Sequence, residues 1–303
     1  MSDAIAAADP ADQLRVAQAR HRRRMLLVLA AAALAAGAFV LALVVFTGGG
    51  SLLPRISKPY FYEVNAPGAP KPSYLFGTMH VAYSVDDLPR AVLAAQDRTT
   101  TTVLESDLEA RAAAPPPAPG SATTTGGGRR RLDDAEWAKL SEMTGMPEAE
   151  LEAQSTSRLL GAALATMLPP VEAMDRGLQR RARQQGKELA YLEARNLEQV
   201  IADDGGLENG KVLDGLRNAI QHRGAFRAEL VKIASRYARG DDRACAGSLG
   251  ELVVGLNDDW EAAIQAHIRR GDAFIAIGCG HLIGEGSIVE RLEARGFTVT
   301  RVP

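Results

Sequence analysis

The sequence predicts an α/β domain, in which a mixed central sheet is flanked by helices with a helix-rich insertion, preceded by one transmembrane helix. Three observations predict this architecture. Short β-type runs alternate with helical patterns over residues 58–303, residues 133–255 are mostly helical in pattern, and an uncharged apolar run lies near the N-terminus. The chain of 303 residues is 46% hydrophobic and 24% charged, which is ordinary for a globular protein and sufficient for a sizeable core.

The N-terminal apolar run is predicted to anchor the chain in a membrane. Residues 25–46 read MLLVLAAAALAAGAFVLALVVF and carry no charge, so a helix of this length crosses the roughly 30 Å hydrocarbon layer. The basic cluster RHRRR directly precedes the run, so the positive-inside rule predicts that residues 1–24 are a cytoplasmic tail. We therefore expect a single-pass protein of the bacterial inner membrane with a periplasmic or otherwise extracytoplasmic C-terminal domain. A cleaved signal peptide and a buried soluble helix are alternatives, and the length of the run favours the anchor over both.

Beyond the anchor we expect a linker over residues 47–57 and one domain over residues 58–303. Within that domain, residues 110–131 read ARAAAPPPAPGSATTTGGGRRR, which predicts a disordered loop because large apolar side chains are lacking. The arginines at its end are interpreted as a solvated loop end, with an anionic surface contact as the alternative. The net charge of −2 argues against nucleic acid as a partner.

Six runs of β-type composition are predicted to form the sheet: Tyr60–Val64, Tyr74–Met79, Thr101–Leu104, Glu188–Leu192, Ala273–Gly278 and Phe297–Val302. The first two runs are separated by the turn-rich residues 65–70, which predicts an antiparallel hairpin. The run Ala273–Gly278 is continuously apolar, as expected for a strand that is buried on both faces.

Helical patterns fill the intervals between these strands. The amphipathic run Leu88–Arg98 is the first, and the acidic start of Asp133–Met143 is typical of a helix N-terminus. Asn257 is predicted to cap a helix that ends at Gly271. The remaining predicted helices begin at Pro147 or cover Val171–Gln185, Leu207–Gly255 and Ile288–Arg295.

Four ligand-type side chains follow predicted strands at the point where each strand ends. His80 ends the sequence GTMH and His281 ends the sequence GCGH, so both belong to a Gly-x-x-His segment. Glu105 and Glu193 follow the third and fourth strands in the same way. Because ligands bind at the carboxyl ends of strands in open α/β sheets, we expect these four residues to line one cleft.

Imidazole nitrogens and carboxylate oxygens in such a cleft suit a divalent metal ion such as manganese, cobalt or zinc. A bound ion would lower the pKa of water and polarise a carbonyl, and a spare carboxylate would accept the proton. The alternative is that the four side chains are hydrogen-bonded strand-end residues without catalytic function. The sequence lacks the Gly-x-Ser-x-Gly elbow, the His-Glu-x-x-His helix and the phosphate-binding Gly-x-x-x-x-Gly-Lys-Ser/Thr loop.

The two cysteines, Cys245 and Cys279, are interpreted as small buried residues, and one disulfide is the alternative in an oxidising compartment. Cys279 lies two residues before His281, so a Cys–His nucleophile is a further alternative. The segment Gly284–Ser287 is interpreted as a turn with a helix cap, and anion binding by its backbone N–H groups is the alternative.

A series of segments around these motifs follows a known family pattern. In chain order they are Tyr60–Val64, Pro72–Val81, Val103–Asp107, Met174–Asp175, Gly186–Glu193, Gln199, Asn257–Trp260, Ala276–Leu282 and Leu292–Phe297. Over residues 58–303 the chain thereby resembles the TraB/GumN/Tiki-like family.

This resemblance implies an α/β fold related to the erythromycin-esterase/ChaN-like group. It implies that His80, His281 and the acid after the third strand, Glu105, form the active centre, and for Tiki-like members it implies a manganese- or cobalt-dependent peptidase. Other members are linked to peptide pheromone shutdown or to surface polysaccharide loci. Two features depart from the pattern: Leu256 stands where members often have arginine, and the loop over 110–131 is longer than expected.

We therefore expect a metal-dependent, peptidase-like hydrolase that acts on peptides or proteins outside the cytoplasm. His80, His281 and Glu105 are the expected metal ligands, and Glu105 and Glu193 are the expected catalytic carboxylates. The alternative function is a non-catalytic, membrane-anchored domain that sequesters a peptide or regulates a partner, which Leu256 supports. The sequence leaves the metal, the substrate and the oligomeric state open.

Overall fold

The computed structural model of the protein describes residues 53–109, 132–152, 154–193, 207–246 and 250–303. The predicted tail, the predicted transmembrane helix over residues 25–46 and the predicted loop over residues 110–131 lie outside these residues. In the described part of the chain, no helix is both long enough and apolar enough to span a membrane. The described residues between Leu53 and Pro303 form one compact unit.

A mixed sheet of six described strands lies at the centre of this unit. The strands are β1 (Phe61–Asn65), β2 (Ser73–Thr78), β3 (Thr101–Leu104), β4 (Glu188–Tyr191), β5 (Ala273–Gly278) and β6 (Thr298–Arg301). Their order across the sheet is β4-β3-β5-β2-β1-β6. The first four in this order are parallel, whereas β1 is antiparallel to both β2 and β6. The predicted hairpin and the predicted mixed sheet are therefore confirmed.

Helices occupy the intervals between these strands in the described sequence. They are α1 (Arg90–Arg98), α2 (Asp134–Thr144), α3 (Glu148–Glu152), α4 (Thr156–Ala165), α5 (Met174–Gln184), α6 (Leu207–Gln221), α7 (Arg223–Ala238), α8 (Gly250–Arg270) and α9 (Ile288–Ala294). Three 3₁₀ helices are also described: η1 (Val85–Asp87) after β2, η2 (Asp242–Ala244) between α7 and α8, and η3 (Cys279–Leu282) after β5. The helix-rich middle is confirmed, and the helical stretches predicted from Leu207 correspond to α6, α7 and the start of α8.

The predicted helix caps had different outcomes. Asp133 caps α2 as expected: its side chain accepts the N–H of Glu136, and the Glu136 carboxylate accepts the N–H of Asp133. The predicted cap at Asn257 is wrong, because α8 already begins at Gly250. An asparagine inside a helix is disfavoured unless its polar side chain has a partner, and Asn257 has such partners in the site described below.

Two hydrophobic cores support this architecture. Every residue of β2 and of β5 is buried, and the rings of Phe76 and Phe274 stack between them with centroids 6.2 Å apart. Leu53 and Ile56, which fall in the predicted linker, are buried in the same core. A second, smaller core forms among the helices of the middle region around Trp137.

Cys245 and Cys279 form a disulfide, which joins the chain after η2 to the start of η3. Both cysteines are buried, as the favoured interpretation expected, but they are paired, so the alternative of one disulfide is observed. A cysteine that is part of a disulfide carries no nucleophilic thiolate, so Cys279 does not form a Cys–His nucleophile with His281 in this structure.

Gly77 allows the carboxyl ends of β2 and β5 to approach closely. A Cβ atom placed at Gly77 would lie 2.8 Å from Cβ of Tyr60 and 3.0 Å from Cα of Cys279. These distances are too short for carbon atoms in a close-packed interior, so any side chain at this position would push the two strand ends apart.

We expect Gly77→Ala to lower the free energy of unfolding by roughly 1–3 kcal/mol, because the added methyl group overpacks a closed contact. Urea-induced unfolding followed by circular dichroism measures the change. Gly161→Ala in α4 is the matched control, since a Cβ atom there would meet nothing within 4 Å. The control should be neutral or stabilising by up to about 1 kcal/mol, and equal destabilisation by both variants would contradict the proposed contact.

Candidate active site

The carboxyl ends of three adjacent strands bring together three of the four predicted site residues. Glu105 follows β3, His281 follows β5 and His80 follows β2, and these strands are neighbours in the sheet. Nε2 of His80 lies 3.8 Å from Oε2 of Glu105. Nε2 of His281 lies 3.8 Å from Oε1 of the same carboxylate. The two imidazoles therefore face the two oxygens of one carboxylate.

Gly278 lies at the centre of these groups. A Cβ atom placed at Gly278 would lie 3.2 Å from Oε1 of Glu105, 3.4 Å from Nε2 of His80 and 3.6 Å from Cδ2 of His281. Its backbone N–H also donates to Oε1 of Glu105 over 2.5 Å. The residue thus fixes the carboxylate and, because it has no side chain, leaves the space between the three groups open.

Glu193, the fourth predicted residue, follows β4 at the edge of the sheet. Its backbone N–H donates to the backbone carbonyl of Glu105 over 2.7 Å. The strand order places β3 and β5 between β4 and the strand that carries His80. The structure thus joins Glu193 to the site through the main chain of Glu105.

His80 is held by a carboxylate that the sequence prediction did not assign to the site. Nδ1 of His80 lies 2.8 Å from Oδ2 of Asp175 at the start of α5. Asp175 is buried, and its other oxygen accepts a hydrogen bond from Thr78 over 2.8 Å. Because both carboxylate oxygens have partners, Asp175 is held in place, and its contact with Nδ1 leaves Nε2 of His80 directed towards Glu105.

The charge of Asp175 raises the pKa of His80 to about 10; partial loss of water around the ring opposes this shift, while the hydrogen bond to Asp175 and the charge of Glu105 add to it. Burial raises the pKa of Asp175, but the charge and hydrogen bond of His80 and the bond from Thr78 outweigh it, so the pKa is lowered. In the absence of a competing cation, His80 is therefore protonated at neutral pH. Its ring is 58% exposed, so water screens part of the attraction.

The environment of His281 lowers the pKa of its ring, whereas that of His80 raises it. Nδ1 of His281 lies 2.8 Å from Oδ1 of Asn257, whose Nδ2 donates to the carbonyl of Gly286 over 3.0 Å. Because the amide oxygen of Asn257 accepts, Nδ1 of His281 carries the hydrogen and Nε2 carries the lone pair. Burial lowers the pKa of His281, Glu105 opposes this shift and His80 adds to it. The ring packs on Trp260 with centroids 4.6 Å apart, which keeps it buried.

The donor set suits a divalent cation in type and direction. The lone pair of His281 and the carboxylate of Glu105 are both acceptors and face one another, so a cation or a proton between them would be stabilised. Each imidazole has its Nδ1 atom held by oxygen, as metal-ligating histidines usually do. In spacing the fit is incomplete: among the residues that the structure describes, no three His, Cys, Asp or Glu side chains are arranged to hold a metal ion as they stand.

The site contains two residues that were not predicted as site residues: Asp175, which appeared only in the family resemblance, and Asn257, which was also predicted as a helix cap. Asp175 and Asn257 lie in two of the family-like segments, and each orients one of the histidines. A signal for them was therefore present, in the sequences Met-Asp and Asn-Asp-Asp-Trp, but it did not indicate which imidazole each would reach.

The segment Gly284–Ser287 contributes the carbonyl of Gly286, which accepts from Nδ2 of Asn257, to the site. The side chain of Ser287 caps α9 by accepting the N–H of Glu290. The interpretation of this segment as a turn with a cap is therefore confirmed. The Ser287 side chain occupies the N–H of Glu290, which is a donor that a bound anion would otherwise use.

Residues 61–301 match the model of a protein family described as the TraB/PrgY/gumN family. The matched span includes all the residues that build the cleft. No curated protein and no solved structure matches the chain.

We expect Asp175→Asn to lower the pKa of His80 from about 10 towards the ordinary histidine value of about 6.5. The amide keeps the shape of the side chain but supplies no negative charge. Titration of the His80 ring protons by NMR in chelator-treated protein measures the shift. His267 in α8 is the internal control, and an unchanged pKa of His80 would contradict the assigned ion pair.

The same variant should affect stability in a pH-dependent way. Because the pKa of His80 is higher in the folded than in the unfolded chain, the contribution of this pair is fully present below about pH 6.5 for as long as Asp175 stays charged. It is lost as the pH rises through about 10. Asp175→Asn should therefore lower the free energy of unfolding more at pH 6 than at pH 10, by about 1 kcal/mol or less because the ring is exposed. Urea unfolding at both pH values tests this.

Proposed function

The chain belongs to the TraB/PrgY/gumN family, and on that premise we propose that it is a metal-dependent, peptidase-like hydrolase that acts outside the cytoplasm. The observation that carries the proposal is the convergence of two imidazoles on one carboxylate at the carboxyl edge of the parallel strands. Imidazoles and a carboxylate that converge in this way can bind a metal ion or transfer protons, which are roles that a hydrolytic site needs.

His80, His281 and Glu105 would hold a manganese, cobalt or zinc ion. When bound, such an ion would supply Lewis acidity and lower the pKa of water, which is the chemistry that amide hydrolysis needs. His281 already presents a lone pair, whereas His80 binds a cation only after it loses the proton that Asp175 stabilises. The side chains would also draw together, since the nitrogen–oxygen distances of 3.8 Å are wide for shared coordination.

The surrounding residues would keep these groups in place. Asp175 orients His80, Asn257 orients His281, and the Gly278 N–H holds Glu105. Glu105 and Glu193 are the proposed carboxylates for proton transfer to and from the reacting groups. In this proposal Glu193 acts from the strand next to Glu105.

The proposed location is the outer face of the bacterial inner membrane, with residues 25–46 as a single-pass anchor. The disulfide between Cys245 and Cys279 supports this location, because disulfides persist in the periplasm and are rare in the cytoplasm. The substrate would then be a peptide or a segment of a protein on that side of the membrane.

A non-catalytic binding domain is the second candidate function. One observation favours it: Leu256 occupies the position before Asn257 that is often arginine in the family that the sequence resembles. In this case the cleft would hold a peptide without cleaving it.

We expect the purified full chain, stripped of metal and then given Co²⁺, to develop the visible absorption of bound cobalt. His80→Ala/His281→Ala should lower the affinity by more than about 100-fold, because loss of outer hydrogen-bond partners alone costs 10–100-fold at metal sites. Gly278→Ala, which fills the space between the donors and keeps both histidines, should also weaken binding.

The matched control is His222→Ala/His267→Ala, which removes two histidines outside the cleft. This control should bind Co²⁺ as the wild type does. Equal Co²⁺ binding by the two double variants would show that His80 and His281 are not metal ligands, and the metal-dependent part of the proposal would fail.

We expect Glu105→Gln to lower kcat/KM for peptide cleavage by roughly 10²–10⁴-fold, because the amide can neither accept a proton nor balance a cation. Mass spectrometry of a peptide mixture incubated with the metal-loaded full chain measures cleavage. Glu229→Gln on α7 is the control and should cleave like the wild type, since Glu229 pairs only with Lys232 in the described contacts. Peptide binding without cleavage, unchanged in His80→Ala, would favour the binding domain instead.

A further inference from the structure

The two Gly-x-x-His segments are both held by α7 and the short stretch that follows it. Tyr237, near the end of α7, is fully buried, and its hydroxyl donates to the carbonyl of Gly77 over 2.7 Å. Cys245, which directly follows η2, is bonded to Cys279. One stretch of chain, residues 237–245, therefore contacts the segment before His80 and the segment before His281.

The disulfide is attached at the centre of the second segment. Cys279 follows Gly278, whose N–H holds Glu105, and precedes Gly280 and His281. Glycines on both sides give this segment few side-chain contacts of its own, so a covalent bond at Cys279 restricts it strongly. The cysteines are 34 residues apart, and the loop that they close contains α8.

The residues of α8 that orient His281 are thus inside the cross-linked loop. Asn257 fixes the tautomer of His281, and Trp260 covers its ring. Without the cross-link, the segment around Cys279 would be joined to the α7–η2 stretch only by non-covalent contacts and by the main chain that runs through α8 and β5.

The two segments also contact each other. The position of a Cβ atom at Gly77 lies 3.0 Å from Cα of Cys279, so a shift of Cys279 changes the packing at Gly77. Tyr237 is itself fixed by its aromatic neighbours, with ring centroids 5.5 Å from Tyr60 and 5.9 Å from Tyr83. The hydroxyl of Tyr83 donates to the carbonyls of Pro54 and Ala234, away from both segments.

We infer that the Cys245–Cys279 disulfide and Tyr237 are positioning elements that set the relation between His80 and His281, so that the site is fully assembled only in the oxidised protein. This inference rests on the proposed function, because it assumes that His80 and His281 act together in one site. A chain whose cysteines are reduced, as they would be before export, then has an incompletely ordered cleft.

The experiment uses the metal-free full chain in detergent and compares wild type, Cys245→Ala/Cys279→Ala and Tyr237→Phe. Hydrogen exchange of backbone amides is measured by mass spectrometry. The cysteine variant should exchange roughly tenfold faster over residues 278–283, and Tyr237→Phe should exchange faster over residues 77–80, with β6 unchanged in both. Tyr83→Phe is the matched control and should leave both segments unchanged.

Two further measurements separate positioning from general stabilisation. The ring nitrogens of His281, observed by NMR, should report one tautomer in the wild type and an average of two in the cysteine variant. Co²⁺ affinity should fall by roughly 10–100-fold in the cysteine variant, as it does when partners outside the ligand shell are lost. Reduction of folded wild-type protein should reproduce both changes, and reoxidation should reverse them, which keeps the test decisive if the variant does not fold.

Unchanged exchange over residues 278–283 and a single His281 tautomer after reduction would overturn the inference. A uniform increase in exchange across all strands would also overturn it, because the cross-link would then stabilise the whole fold and not the site. If the wild type binds no Co²⁺, the proposed metal-dependent function fails, whereas the exchange and tautomer measurements still decide the role of the disulfide.

Discussion

The parallel pairing of β2 with β5 is the constraint on which the site depends. It places Thr78 opposite Gly278, so the two Gly-x-x-His segments leave the sheet at the same edge and nearly level with each other. Close approach requires a residue without a side chain at Gly77, where any Cβ atom would meet Tyr60 and the backbone of Cys279. The open space between the imidazoles and the carboxylate requires Gly278, since a side chain at this position would fill that space.

The cleft makes two residues of the same type chemically different. His80 has the negative charge of Asp175 beside it, so it keeps its proton at neutral pH. His281 is buried against Trp260 and has only the neutral amide of Asn257 as a partner, so it presents a lone pair. Neighbouring groups whose environments move their pKa values in opposite directions are typical of sites that transfer protons or bind cations. That difference, more than the presence of histidines, is what supports a chemical role for the cleft.

The helices of the middle and late parts of the chain supply the residues that fix this arrangement. Asp175 comes from the start of α5, Tyr237 from α7 and Asn257 from α8, so three different helices reach the same edge of the sheet. Each contact orders one side chain or one turn that would otherwise be free to rotate. The helical region is therefore part of the site and not only a cover for the sheet, even though its own smaller core packs separately around residues such as Trp137.

The sequence by itself determined the strands, the mixed α/β class and the strand-end positions of both histidines and of Glu105. These features depend on apolar periodicity and turn residues within a few positions, which is local information. The tertiary structure alone decided their partners: Asp175 is 95 residues from His80, and Asn257, which local pattern had predicted as a helix cap, reaches His281 across 24 residues. The pairing of Cys245 with Cys279 in a disulfide was likewise decided by the tertiary structure. Which distant side chains meet depends on the path of the chain between them, and no local pattern records that path.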